Sequence, residues 1–266
     1  ILALRALNDV NLPKFTSNDI PLFLGITSDL FPGVELTPID YGALLTGIEE
    51  ACQIQNLQPT EEFKSKCIQL YETITVRHGL MLVGQTFSGK SKVISTLQMA
   101  ISSVKDNPNF ANVQKITLNP KSITTNQLYG RWIAESHQWY DGVISTTFRH
   151  FTGDKSDDKK WVVFDGPVDS KWIENMNTVL DDNKMLCLTS GETIKLTETM
   201  TMMFEVEDLK EASPATVSRC GMVFLEPHRL GWEVLVQSYA ASLPKYLSDK
   251  YKEYIIDIYW WFCWPL

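Results

Sequence analysis

The spacing of apolar positions changes character near residue 77. Upstream, Tyr41–Ala51 and Glu61–Val76 repeat apolar residues every three or four positions, which predicts amphipathic helices. Thr60 followed by Glu61 and Glu62 supplies a helix start for the second. Before them, Pro13, Pro21, Pro32 and Gly33 cut the chain into short apolar pieces such as Ile20–Leu24, with no strand alternation. From Arg77 onward, short apolar runs alternate with stretches of helical length. The runs Gly79–Val83, Lys115–Leu118, Trp161–Phe164, Met200–Val206 and Met222–Leu225 predict strands. Their long connections predict an α/β fold, a parallel sheet flanked by helices and preceded by a small helical segment. Between Leu186 and Leu196, two short runs flank Ser190-Gly191 and predict a β-hairpin insertion. Gly153–Lys160 reads as a solvated loop.

The first predicted strand runs directly into Gly84-Gln85-Thr86-Phe87-Ser88-Gly89-Lys90-Ser91, and helical spacing resumes at Lys92. This is the P-loop of a P-loop NTPase. Gly84 and Gly89 let the backbone curl so that successive N–H groups face phosphate oxygens. The helix that follows presents its positive end to them. Lys90 is expected to reach the β/γ-phosphates, and Ser91 to offer its hydroxyl to Mg²⁺. Phe87 is bulky for such a loop, so its side chain must point away. The expected ligand is ATP or ADP with Mg²⁺.

Composition narrows the partners. The 266 residues are 44% hydrophobic and carry a net charge of −8, with a sequence pI near 5.1. No basic surface is expected, which argues against nucleic acid. No run is long enough to span a bilayer, and the apolar end Tyr254–Leu266 carries Asp257. Cys52, Cys67, Cys187, Cys220 and Cys263 have no CxxC spacing and read as reduced, buried thiols. Ile1 and the Trp-rich end are expected to mark a piece of a longer chain, and the end is not expected to be a folded element of this domain.

The run Trp161–Phe164 ends in Asp165, the position from which P-loop proteins hold Mg²⁺. An ATPase of this type usually places Glu next, to activate the attacking water. Here Gly166 and Pro167 follow. A positioned base contributes about 10²–10⁴ in rate, so the sequence points to nucleotide binding without efficient turnover.

Four stretches together resemble dynein heavy chains: Asp165–Asp169, Trp172–Lys184, Leu186–Glu192 and Ser213–Val223. The match is to the second AAA+ module of the motor ring, with an axonemal flavour. Residues 1–75, with Arg5-Ala6-Leu7 and Leu30-Phe31-Pro32-Gly33, resemble the helical lid of the first module. The resemblance implies an AAA+ nucleotide-binding domain over 76–240 and a truncated or atypical tail over 241–266. It implies that Arg219 is an arginine finger acting in the preceding module. The resemblance places Asp208 near the polar sensor position, usually Asn where hydrolysis occurs, and implies that Arg5 contacts the first module's nucleotide from its lid. Asn8 departs from the family, which often has a basic residue there. The implied partners are neighbouring AAA+ modules of the same heavy chain, with microtubules and dynein intermediate and light chains reached only through the full-length parent. The implied setting is the cytoskeleton of the ciliary axoneme. Two other readings stay open: an autonomous ATPase using Glu205, Glu207 or Asp169 as base, and an interaction fragment that binds no nucleotide because Phe87 blocks the loop or the small lid after Ser242 is missing.

Overall fold

The computed structural model describes residues 2–34, 36, 39–104, 110–133, 135–244 and 246–263. Ile1 and Trp264–Leu266, part of the expected terminal tail, lie outside the described residues.

The chain begins with helices α1 (Leu2–Asn11), α2 (Ile20–Leu30), α3 (Gly42–Ile54) and α4 (Glu61–Val76). The α/β portion follows as β1 (Gly79–Val83), α5 (Lys90–Ser103), β2 (Val113–Leu118), α6 (Thr125–Tyr129), β3 (Gly130–Ile133), β4 (Gln138–Asp141), α7 (Val143–Gly153), β5 (Lys159–Asp165), α8 (Ser170–Ile173) and α9 (Asn177–Leu180). It continues through β6 (Met185–Cys187), β7 (Thr193–Lys195), β8 (Met200–Val206), α10 (Pro214–Arg219), β9 (Gly221–Phe224), α11 (Pro227–Leu230), α12 (Glu233–Ser242) and α13 (Asp249–Cys263).

The main sheet has the order β2-β5-β8-β1-β9, and its neighbours pair in parallel. Strand alternation divides its side chains between two cores. Met81, Val162, Phe164, Met202 and Phe204 face one, with α6, α7 and the α8–α9 region. Leu80, Leu82, Trp161, Val163 and Met203 face the other, with α5. Burial on both faces explains why these strands read as continuous apolar runs. Each predicted strand is present, and so is the predicted hairpin. In it β6 and β7 pair antiparallel with Leu186 opposite Ile194, and Gly191 takes a left-handed φ of +88° at the turn.

Five features differ from the sequence reading. First, α3 and α4 contribute Leu44, Ile48, Cys52, Phe63, Cys67 and Leu70 to the α5-side core. By packing they belong to the layer covering the sheet, although the sequence reads them as part of a helical segment ahead of it. Residues before α3 are more exposed, Leu2, Leu22, Ile26 and Leu30 among them, although Leu4 and Pro13 are buried. Second, a further hairpin, β3–β4, pairs Trp132 with Trp139. Third, the expected solvated loop ends inside β5. Lys160 is buried, and its ammonium donates to the Asp154 carbonyl at 2.5 Å and the Ser156 carbonyl at 3.3 Å. Fourth, Cys187 is exposed, because only the middle residue of β6 faces inward. Fifth, the chain is folded as helix α13 through Cys263, with Trp260 against Trp232 and Tyr259 against Tyr239 of α12.

Candidate functional site

The carboxyl ends of β1, β5, β8 and β9 meet at one edge of the sheet, the edge where parallel α/β sheets bind ligands. β1 arrives there fully buried. Gly84 leaves it by donating its N–H to the Val206 carbonyl at 3.1 Å. A Cβ on Gly84 would lie 2.3 Å from the Leu225 carbonyl oxygen and 2.7 Å from Ser88 Oγ, so only glycine fits. The loop closes at Gly89 with φ +86°, and α5 starts at Lys90. Phe87 takes φ +66° and is 77% exposed, so its ring leaves the loop as expected. Gln85 and Thr86 are also exposed.

Two loop side chains carry polar atoms suited to an anion. Ser88 Oγ is buried with no hydrogen-bond partner among the described residues. Lys90 Nζ donates to the carbonyls of Gly84 at 2.5 Å and Gln85 at 3.0 Å. Burial lowers the Lys90 pKa from its ordinary value, against the opposing pull of Glu205, Glu207 and Asp165. A glycine cradle, an orphaned buried hydroxyl and a partly desolvated ammonium fit phosphate.

Asp165 is exposed at the end of β5 and lies in register with Glu205 of β8. Glu205 is only 6% exposed. Ser91 Oγ donates to Glu205 Oε2 at 2.5 Å. Burial raises the Glu205 pKa; the Ser91 bond, Lys90 and Lys115 oppose that, and Asp165 adds to it. Ser91 Oγ and the Asp165 carboxylate offer oxygens of the kind Mg²⁺ takes, with Glu205 accepting the Ser91 proton behind them. Beside them a cleft of about 540 Å³ is lined by Gly84, Gln85, Glu207, Asp208 and Glu226, among others.

The other candidate residues have separate places. Gly166 follows Asp165 and donates its N–H to the Glu205 carbonyl at 3.3 Å. Asp208 lines the cleft, but its carboxylate accepts from the Lys210 N–H at 3.1 Å and pairs with the Lys210 ammonium at 3.0 Å. Those contacts hold its pKa below the ordinary value. Asp169 caps α8 and pairs with Lys121 at 2.6 Å. Arg219 ends α10, bonded to Asp181 and to the Ala215 carbonyl at 2.7 Å. Since Gly221 lies opposite Leu80, the start of β9 is about four residues, or roughly 13 Å, from the level of Gly84. Arg219 therefore sits at the far edge from this loop.

The sequence offers Glu205 only as one of three replacement bases and carries no sign of its bond to Ser91. The available signal was an acid inside the apolar run Met202-Met203-Phe204-Glu205-Val206.

A family model described as "Hydrolytic ATP binding site of dynein motor region" matches residues 1–91. Another, described as "AAA domain (dynein-related subfamily)", matches residues 79–220. Dynein axonemal heavy chain 12 of Mus musculus is 54% identical over 252 residues, covering 94% of this chain and 8% of that protein. Dynein axonemal heavy chain 1 of Homo sapiens is 54% identical over 259 residues, covering 96% and 6%. Dynein axonemal heavy chain 3 of Homo sapiens is 50% identical over 268 residues, covering 100% and 6%. The chain thus spans less than a tenth of the length of these curated relatives. With a parallel sheet, a P-loop and a family model over more than half its residues, the chain belongs to the dynein-related subfamily of AAA domains.

Proposed function

We propose that this chain is part of an axonemal dynein motor ring, in which its α/β portion holds an adenine nucleotide with Mg²⁺ and hydrolyses it slowly or not at all. The loop Gly84–Gly89 would cradle the phosphates, Lys90 would neutralise them, and Ser91 and Asp165 would hold the metal. Bound Mg²⁺ would supply charge neutralisation between the phosphates and these oxygens. The observation that carries the reading is Gly166, which puts a hydrogen atom where a hydrolysing site needs a carboxylate. Two replacement bases are otherwise engaged, Asp169 with Lys121 and Glu205 with Ser91. Asp208, at the sensor position, is held by Lys210.

The remaining assignments follow from the same reading. Residues before α3 form the lid of the preceding module, which accounts for their exposed Leu22, Ile26 and Leu30. The boundary expected at residue 75 moves to between α2 and α3. Arg219, at the edge away from its own loop, serves the preceding module as an arginine finger. Neighbouring AAA+ modules are the direct partners. Microtubules, intermediate and light chains and the ciliary axoneme belong to the whole heavy chain.

Equilibrium binding of a fluorescent ATP analogue, followed by single-turnover hydrolysis, tests this. Micromolar to low-millimolar Mg²⁺-supported binding is expected, lost in Lys90→Ala, with turnover at or near background. Absent binding overturns the nucleotide reading. Efficient turnover abolished by Glu207→Gln would instead make the module an ATPase with a non-standard base, since Glu207 lines the cleft.

A further inference from the structure

We propose that Glu205 is a positioning residue of the metal site: it takes the Ser91 hydroxyl proton in a hydrogen bond, leaves the Ser91 oxygen free to ligate Mg²⁺, and so makes nucleotide retention metal-dependent. The inference rests on the nucleotide reading above and adds a residue to it.

A serine hydroxyl has one O–H and two lone pairs. To ligate a cation it must send its proton elsewhere. Ser91 Oγ sends it to Glu205 Oε2 at 2.5 Å, which fixes the hydroxyl rotor and turns the lone pairs away from Glu205. Ser91 itself is exposed, so those lone pairs have an open approach. Outer partners of this kind orient metal ligands and raise their basicity.

The position of Glu205 supports this role over that of a base. It sits on β8, between β5 and β1, beneath the helix that carries Ser91. The missing base would project from residue 166 on the β5 side. Glu205 is also 6% exposed and lies in register beside Asp165. Two adjacent carboxylates, one of them buried, repel each other and lose hydration. Lys90 and Lys115 offset part of that cost, and Lys90 is the group expected to turn to phosphate. A divalent cation between Ser91, Asp165 and the phosphates would supply the missing positive charge.

The test uses the 266-residue chain and a fluorescent ATP analogue, titrated in Mg²⁺ and in EDTA. The quantity read is the Mg²⁺ enhancement, the ratio of the two dissociation constants. Glu205→Gln keeps the side-chain shape and removes the charge. It is expected to shrink the enhancement about ten- to a hundredfold, with EDTA affinity unchanged or tighter because one negative charge near the phosphates is gone. In a Ser91→Ala background, Glu205→Gln should change the enhancement no further. Thermal unfolding checks that each variant is folded. Should Glu205→Gln not fold, Glu205→Asp, which keeps the charge and shortens the reach, carries the same expectation of a reduced enhancement. An enhancement equal to wild type, equal weakening in both arms, or a full effect of Glu205→Gln without Ser91 overturns the proposal. If the wild-type chain binds in neither arm, the nucleotide reading falls and takes this with it. Wild-type binding with an unaltered enhancement in the variant removes this proposal alone.

Discussion

Gly166 lies against Asn119: a Cβ placed on Gly166 would be 3.1 Å from Asn119 Oδ1 and 3.5 Å from the Pro120 ring. The backbone at Gly166 is not in the left-handed region, and Asn119 is an exposed side chain. A larger residue needs only a small shift of Asn119, whose Oδ1 now accepts from the Lys121 N–H at 3.0 Å. Gly166→Glu is therefore expected to fold. It should raise single-turnover hydrolysis by about 10²-fold, the lower end of what a positioned base supplies, because Asp208 stays committed to Lys210. A folded, nucleotide-binding Gly166→Glu with unaltered turnover would show that the absent base is not what limits the site.

Ser88 separates apo stability from ligand binding. Its hydroxyl is buried without a partner among the described residues, and such a group costs free energy until a ligand satisfies it. Ser88→Ala is expected to leave the apo melting temperature unchanged or raised. The same variant should weaken nucleotide binding about fivefold, the equivalent of one hydrogen bond near 1 kcal/mol. Parallel melting curves and binding titrations check the opposite signs. A lowered apo melting temperature with unchanged affinity would make Ser88 purely structural.

His78 gives the fold a pH dependence. Its Nε2 lies 2.8 Å from the Val179 carbonyl, which can only accept, so Nε2 carries the proton. Burial, first, lowers the His78 pKa, the Val179 bond opposes this, and Lys184 adds to the lowering. With the folded pKa below the unfolded value of about 6.5, acid favours the unfolded chain. The His78 contribution is full above roughly pH 7 and declines as pH falls through 6.5 toward the folded pKa. Urea denaturation of wild type and His78→Gln between pH 7.5 and 5.5 should show the stability difference between them changing through this window. A constant difference would contradict it.

The strands and the loop were legible because each rests on a strong local signal. Residues Gly79–Val83 are apolar at nearly every position since both faces of β1 are buried, and the loop glycines are required, Gly84 by close contacts and Gly89 by its φ of +86°. The β3–β4 hairpin was not legible. Arg131, Trp132 and Gln138 are exposed, and the turn bends through His137 at φ +49° with no Gly signal. Pro21 read as a break, yet it occupies the first turn of α2, where proline lacks no needed donor. That α3 and α4 cover the sheet is a tertiary fact that periodicity cannot carry. The Glu205–Ser91 bond spans 114 residues of sequence and follows only from the β5-β8-β1 order.

Arg149 ties the two hairpins together. It bonds Asp141 at the end of β4 at 2.6 and 2.8 Å, and Glu192 beside β7 at 2.9 and 2.6 Å. All three side chains are more than a third exposed, so solvent screens the pairs and Arg149→Ala should cost only about 1 kcal/mol. Arg149→Lys keeps the charge but loses the fork and should recover less than half of that. Melting temperatures of the two variants and a double-mutant cycle with Glu192→Gln measure this. Full recovery by Lys would mean charge alone matters.

Arg219 tests the proposed separation between binding in this module and chemistry in the one before it. Its guanidinium is bonded to Asp181 and Ala215 at the sheet edge away from Gly84. Arg219→Ala is therefore expected to leave nucleotide affinity at this module's loop unchanged within about twofold, since groups this far apart act nearly independently. In a longer chain that includes the preceding module, the same substitution should lower that module's hydrolysis by about 10³-fold, the lower end for an arginine finger supplied in trans. Arg219→Lys should rescue little, because a point charge cannot reproduce the planar donor fork on a phosphoryl group. Asp181→Asn separates the Arg219 guanidinium from its local anchor. It frees Arg219 without removing it and should leave most of the neighbour's activity. If Arg219→Ala weakens nucleotide binding at Gly84–Ser91 as strongly as Lys90→Ala, then the arginine acts within its own module and the trans assignment is wrong.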